Sequence, residues 1–207
     1  MRYSGEELRR GLVAAAIDVW SRYIVDEVSK TPNEEITQIF DACGWGRWLR
    51  SEEGGGCPSG YTRPPDPDWC GLFVGFCGLL VGQYVDGPTC LSITINPELA
   101  RKVLPSTYRL ASPSHWKAAG VEKPLSVRGV DALPGDVVTV GSAKPQGTHI
   151  LLVEAVRDDG TYSSIEGNAR GILPGGERGR GVVRRERKLE DIQHVYRLDS
   201  SHFVEVD

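Results

Sequence analysis

The sequence predicts an α+β fold, with helices from the first part of the chain packed on an antiparallel sheet from the last part. Periodicity carries this reading. Apolar residues recur with helical spacing as far as about Val81, and from Leu133 onward the spacing falls to two. Between these regimes, Gly54-Gly55-Gly56, Pro58, Gly60, Pro64, Pro65 and Pro67 make the segment 45–67 a long irregular loop.

Ser4-Gly5-Glu6-Glu7 has the form of a capping box, the serine at the N-cap and the glutamate three residues on. Leu8, Leu12, Ala15, Ala16, Val19, Trp20, Tyr23 and Ile24 then follow helical period, so the first helix is expected from about 5 to 30, ending before Thr31-Pro32. Asn33 caps a second helix with Ile36, Ile39, Phe40 and Cys43 on one face and Gly44 as its stop. The loop 45–67 runs directly into Cys70 and so forms a wall of any cleft the cysteine serves. Trp45, Trp48 and Tyr61 are its candidate ligand contacts, or else pack the loop onto the body.

The third helix starts at Asp68 or Trp69, with Asp68 read as its cap, and ends near Val81. Shorter helical pieces follow at Asn96-Pro97 and at about 114–119, with Gly120 as a stop. Strands are expected at 136–140, 149–157, 161–167, 181–188 and 194–198. Pro174 to Gly181 reads as a mobile connection, and Arg184-Arg185-Glu186-Arg187-Lys188 as a solvated strand end.

At 207 residues the chain supports one full-sized core, and its 40% hydrophobic and 25% charged content describes an ordinary soluble protein. A net charge of -4 argues against a chain that finds nucleic acid by charge alone. The N-terminus lacks the pattern of a secretory signal, which points to synthesis in the cytoplasm with any later export by another device. Leu72 to Gly82, the longest apolar run, falls far short of the roughly 20 residues that cross a bilayer, so no membrane insertion is expected. Cys43, Cys57, Cys70, Cys77 and Cys90 contain no C-x-x-C pair, so no zinc site is expected. In an oxidising space Cys57 has Cys43 and Cys90 as candidate disulfide partners.

The chemistry concentrates at Cys70. A thiol attacks as its thiolate, and a helix N-terminus favours that anion while its free N–H groups can hold an oxyanion. Gly71, Gly75 and Gly78 weaken the helix by about 1 kcal/mol each relative to alanine, so burial has to hold it together. Trp69, next to the thiol, is a candidate substrate contact. Cys77, on the same helical face, reads as a small buried hydrophobe.

His149 opens a strand. If Asp159-Gly160 is a two-residue turn, Val153 opposes Glu166 and Leu151 opposes Asn168. His149, Leu151 and Val153 then share a face with Glu166 and Asn168. Either polar residue can orient the imidazole while the other ring nitrogen meets Cys70, and this pairing puts Asn168 nearer. His115 reads as packing or surface, and His194 and His202 have no acid spaced to face them.

Trp69-Cys70 before Phe73-Val74, Pro134-Gly135-Asp136-Val137-Val138, His149 with Val153-Glu154, and Ile165-Glu166-Gly167-Asn168 together resemble the CHAP family. These are cysteine, histidine-dependent amidohydrolases and peptidases related to the NlpC/P60 hydrolases. Glu27 and Asn33 before Ile36, and Trp116-Lys117-Ala118-Ala119-Gly120, are similar to the wall-lytic CHAP proteins of phages. The resemblance runs from about residue 10 to 195. It implies a papain-like α+β fold with N-terminal helices on an antiparallel meander, and one catalytic domain over 1–207. Cys70 takes the nucleophile's place, His149 the base's, and Glu166 and Asn168 those of the further polar residues. Some relatives hold calcium through closely spaced aspartates, but Asp66 and Asp68 lack the further ligands, so neither metal nor cofactor is expected.

The expected function is therefore hydrolysis of a peptidoglycan amide, as an N-acetylmuramoyl-L-alanine amidase or a peptide endopeptidase. A monomeric phage endolysin, or a lytic toxin injected by a secretion machine, would act on the wall in this way. The alternatives are a cytosolic thiol amidase on a small peptide or γ-glutamyl conjugate, and a binding module whose triad is vestigial.

Overall fold

The computed structural model describes residues 3–25, 34–43, 69–85, 93–97, 132–141 and 149–205. Helix α1 (Gly5–Ser21) opens with the full capping box: the Glu7 amide donates to Ser4 Oγ at 3.2 Å and the Ser4 amide donates to Glu7 Oε2 at 2.8 Å. It ends well before the expected residue 30. Tyr23 takes φ 59°, and Val25 leaves as an extended residue bridged to Gly181, so sheet pairing captures the chain. Helix α2 (Glu34–Ala42) buries Ile36, Ile39 and Phe40, while Asn33 lies outside the described residues.

Helix α3 (Cys70–Leu80) begins at the cysteine itself, and α4 (Gly82–Val85) continues its line. Trp69, rather than Asp68, is the N-cap, and no side chain caps the helix. From Cys70 to Gly78 every residue is buried, so packing offsets the glycine content. At Gly78 a Cβ would lie 2.7 Å from Ile95, which shows how closely the next element approaches. That element is β1 (Ile93–Ile95), paired antiparallel with β7 (Phe203–Glu205) in a small sheet that the periodicity did not reveal.

The main sheet contains β2 (Val137–Val140), β3 (His149–Val156), β4 (Thr161–Ile172), β5 (Arg178–Lys188) and β6 (Ile192–Tyr196), in the order β5-β4-β3-β2-β6. Its neighbours are antiparallel throughout. From β2 to β5 it is a meander, and β6 returns to the free edge of β2. This is a mixed, α+β arrangement with antiparallel sheets. One face, with Val137, Ile150, Leu152 and Ile165, joins the helical core around Leu12, Phe40 and Phe73. Val138, Leu151, Val153, Tyr162 and Val195 form a second cluster.

Two turns of the same design set the strand positions. In each, a residue bonds back across the turn and a glycine takes positive φ. Arg157 N–H donates to Thr161 O with Gly160 at 81°, and Leu173 N–H donates to Glu177 O with Gly176 at 88°. The segment from Pro174 to Gly181 is therefore a tight turn followed by strand, not a mobile connection. Gly135, at φ 84°, turns the chain into β2, where buried Asp136 receives two bonds from Arg197 at 2.9 and 2.7 Å. Among the described residues no helix is long and apolar enough to cross a membrane.

Candidate active site

Cys70 occupies the first turn of α3, where the first intrahelical bond runs from Phe73 N–H to Trp69 O at 3.0 Å. The amides of Cys70, Gly71 and Leu72 thus have no acceptor within the helix, the arrangement that suits an oxyanion. The residue is only 3% exposed. Its helix is seated on β4 through Gly167, where a Cβ would stand 2.4 Å from Phe73 Cβ and 2.9 Å from the Trp69 ring. Glycine at this point brings the nucleophile's helix down onto the strand that carries Glu166.

His149, the first residue of β3, is hydrogen-bonded to Cys70 on one side and to Glu166 on the other. Its Nε2 lies 3.0 Å from Glu166 Oε2, which leaves Nδ1 for the thiol. The imidazole is 19% exposed. Burial works against its charged form, yet the bonds to Cys70 and Glu166 prevail and lift its pKa from 6.5 to about 9. A histidine in this state is an imidazolium at neutral pH, held between the Cys70 sulfur and a carboxylate.

Glu166 is fully buried and accepts from every side. Arg187 donates through Nε to Oε1 at 2.6 Å and through Nη2 to Oε2 at 2.8 Å, and Ser164 Oγ donates to Oε1 at 2.6 Å. Burial alone would raise this carboxyl, but the bonds from Arg187 and then His149 take it down to about 2. Behind the Cys70 sulfur the charges run imidazolium, carboxylate, guanidinium.

Glu166 rather than Asn168 meets the imidazole: the register differs from the expected one by two residues, and an irregularity of β4 between Glu166 and Ala169 takes Asn168 out of the place opposite His149. Val153 opposes Ser164, not Glu166. One residue of the slip comes from the turn closed by Gly160, and the other from a bulge at Glu154, between the Val153 and Ala155 pairs. A slip of two conserves the side-chain face, so Glu166 stays on the side of His149 and moves towards it. Asn168 sits at an irregularity of β4 with φ 55°, and its Oδ1 accepts from Arg180 at 2.8 Å.

Arg187 is the site residue that sequence reasoning missed. The basic run at 184–188 reads as solvent-facing, whereas Arg187 is 13% exposed and buries its fork against Glu166. The only signal available was a period-two alternation that puts Arg185 and Arg187 on one face of β5.

Trp69 is 1% exposed and packs against Gly167, so it seats the helix and offers no ring face to a ligand. Trp45, Trp48 and Tyr61 lie outside the described residues, as do Cys57, Cys90, His115, Asp66 and Asp68. Cys43 is a free thiol whose Sγ donates to Leu72 O at 3.5 Å, with burial pushing it up to about 12. Burial likewise holds Cys77 well above the ordinary thiol range. His202 does face an acid, Asp199 at 3.1 Å, but within a local cap. His194, in β6, pairs with Thr139 of β2, and its ring lies tilted 6.2 Å from that of Tyr196. No group of three or more His, Cys, Asp or Glu among the described residues is placed to hold a metal ion.

No family model matches the chain, no curated protein matches it, and no solved structure matches it. A cleft of about 680 Å³, lined by His149, Asn168, Arg170, Arg185 and Arg187 among others, opens beside the imidazole.

Proposed function

We propose that this chain is a cysteine amidohydrolase or peptidase of papain-like fold that cleaves an amide bond in peptidoglycan. The observation that carries the reading is His149 bonded at once to Cys70 and to a carboxylate that Arg187 and Ser164 hold ionised. A structural histidine has no need of both neighbours.

In the reaction, the Cys70 thiolate attacks the amide carbonyl carbon, and the carbonyl electron pair moves onto oxygen. The resulting oxyanion is received by the free N–H groups at the start of α3. When the tetrahedral species collapses, the C–N bond breaks and His149 delivers its proton to the leaving amine. A thioester remains on Cys70. Neutral His149 then takes a proton from water, whose oxygen attacks the thioester, and release of the carboxylic product restores the thiolate–imidazolium pair. Glu166 stays ionised throughout, holding the ring in place and stabilising its positive charge.

Peptidoglycan is the substrate class that the CHAP resemblance implies, acted on by an endolysin or an injected toxin. Digestion of purified sacculi by wild type and by Cys70→Ala, with products read by mass spectrometry, tests this. Cleavage by wild type alone is expected, and the fragment masses distinguish a muramoyl-alanine amidase from an endopeptidase. Clearance by Cys70→Ala would sink the mechanism. Intact sacculi with rapid Cys70 alkylation would move the substrate to a small soluble amide, and slow alkylation would mark a vestigial site.

A further inference from the structure

Beyond the thiol, the β4–β5 hairpin carries charge that the triad does not use. Arg170, Arg178, Arg180, Arg184 and Arg185 line a hollow of about 810 Å³ whose only acidic lining residue among those described is Glu186. Glu186 itself pairs outward with Arg157. The whole chain carries -4, so this positive wall is local.

The wall is built against an electrostatic cost. Arg170 and Arg180 are direct cross-strand partners, an arrangement in which like charges destabilise a sheet. The hairpin also folds back on itself: Ile172 is bridged both to Arg178 and to Arg184. Gly171 permits that approach, since a Cβ there would stand 2.8 Å from Arg185 Cγ and 2.9 Å from Arg184 O.

Arg184 is fixed by Glu154 and by the Trp20 ring 4.0 Å below it, and Arg180 is fixed by Asn168. Arg170, Arg178 and Arg185 are paired with no carboxylate among the described residues. Arg170 and Arg185 also line the cleft beside His149, so the hollow and the cleft share a wall.

We propose that this hollow is a subsite for the carboxylates of an acidic peptide whose scissile amide lies at Cys70. The inference rests on the thiol-amidase reading and names the substrate's charge. A peptide fits better than a phosphate polymer because the attacked bond is an amide. The guanidinium fork also matches a carboxylate in two-point fashion, as Arg187 does with Glu166 and Arg197 with Asp136 in this chain.

The test uses full-length Cys70→Ala, which cannot turn substrate over. Fluorescence anisotropy follows a fluorescein-labelled tetraglutamate peptide, its tetraglutamine counterpart, and displacement by tripolyphosphate. The glutamate peptide is expected to bind at least about ten-fold more tightly, with affinity falling as salt rises. Arg170→Gln with Arg178→Gln, both at exposed positions, should cost about ten-fold with an unchanged circular dichroism spectrum, and Arg170→Lys should cost less.

Equal binding of the two peptides, or a double variant that binds like its parent, would overturn the subsite. Displacement by tripolyphosphate at a tenth of the unlabelled peptide's concentration would overturn the peptide in favour of a phosphate polymer. Charge-dependent binding by a protein whose wild type cleaves no amide would retain the subsite and sink the amidase reading instead. Amide cleavage with charge-blind binding would do the reverse.

Discussion

Replacing Arg187 by methionine removes two short bonds, 2.6 and 2.8 Å, from a carboxylate that has no access to water. The cost can be worked from the site. Glu166 is held at about 2 instead of its ordinary 4.5, which corresponds to roughly 3 kcal/mol at neutral pH, at about 1.4 kcal/mol per pKa unit. Breaking a buried pair by removing one partner costs about 3–5 kcal/mol, in the same range. Ser164 and His149 still donate to Glu166 in the variant, so the lower end, about 3 kcal/mol, is expected.

The pH dependence has a definite sign. The folded-state pKa of Glu166 lies below its unfolded value, so its stabilisation is complete above about 4.5 and is lost as pH falls through about 2. The difference between wild type and Arg187→Met should therefore be largest near pH 7 and shrink as pH falls towards 3. Urea unfolding followed by tryptophan fluorescence at both values measures it. A loss under about 0.5 kcal/mol, or one of equal size at both pH values, would refute the reasoning.

His149 has the opposite sign: its stabilisation is present below 6.5 and lost as pH rises through about 9, so wild-type stability should fall across that window. A stability measured by urea unfolding that stays flat from pH 7 to 10 would count against the imidazolium. Gly167→Ala places a methyl 2.4 Å from Phe73 Cβ, and lifting α3 off β4 should cost about 1–3 kcal/mol together with most of the amidase activity. Normal activity in that variant would show that the helix can shift without harm. Asp136→Asn weakens a buried two-point pair with Arg197 remote from the thiol. It should lower stability by about 3 kcal/mol and leave the alkylation profile in place, and a displaced profile would contradict that separation.

What the chain determines locally could be read from the sequence. The Ser4–Glu7 box, the helix that opens at Cys70, and the five strands of the main sheet follow from capping chemistry and from periods of 3.6 and 2, which depend on neighbours only a few residues apart. The shared face of His149 and Glu166 was legible for the same reason, since alternation survives a slip of two. The tertiary structure decided the rest. Whether Glu166 or Asn168 meets the imidazole turned on a glycine turn and a bulge that set the register, and on an irregularity of β4 that turns Asn168 to Arg180 instead. The stop of α1 at Ser21 was set by a bridge from Val25 to Gly181, and the β1–β7 pair joins segments more than a hundred residues apart. Arg187 became part of the site because strand pairing brought a guanidinium 21 residues away onto a buried carboxylate. A carboxylate needs compensation when water is excluded from it, and only the folded chain determines where water is excluded.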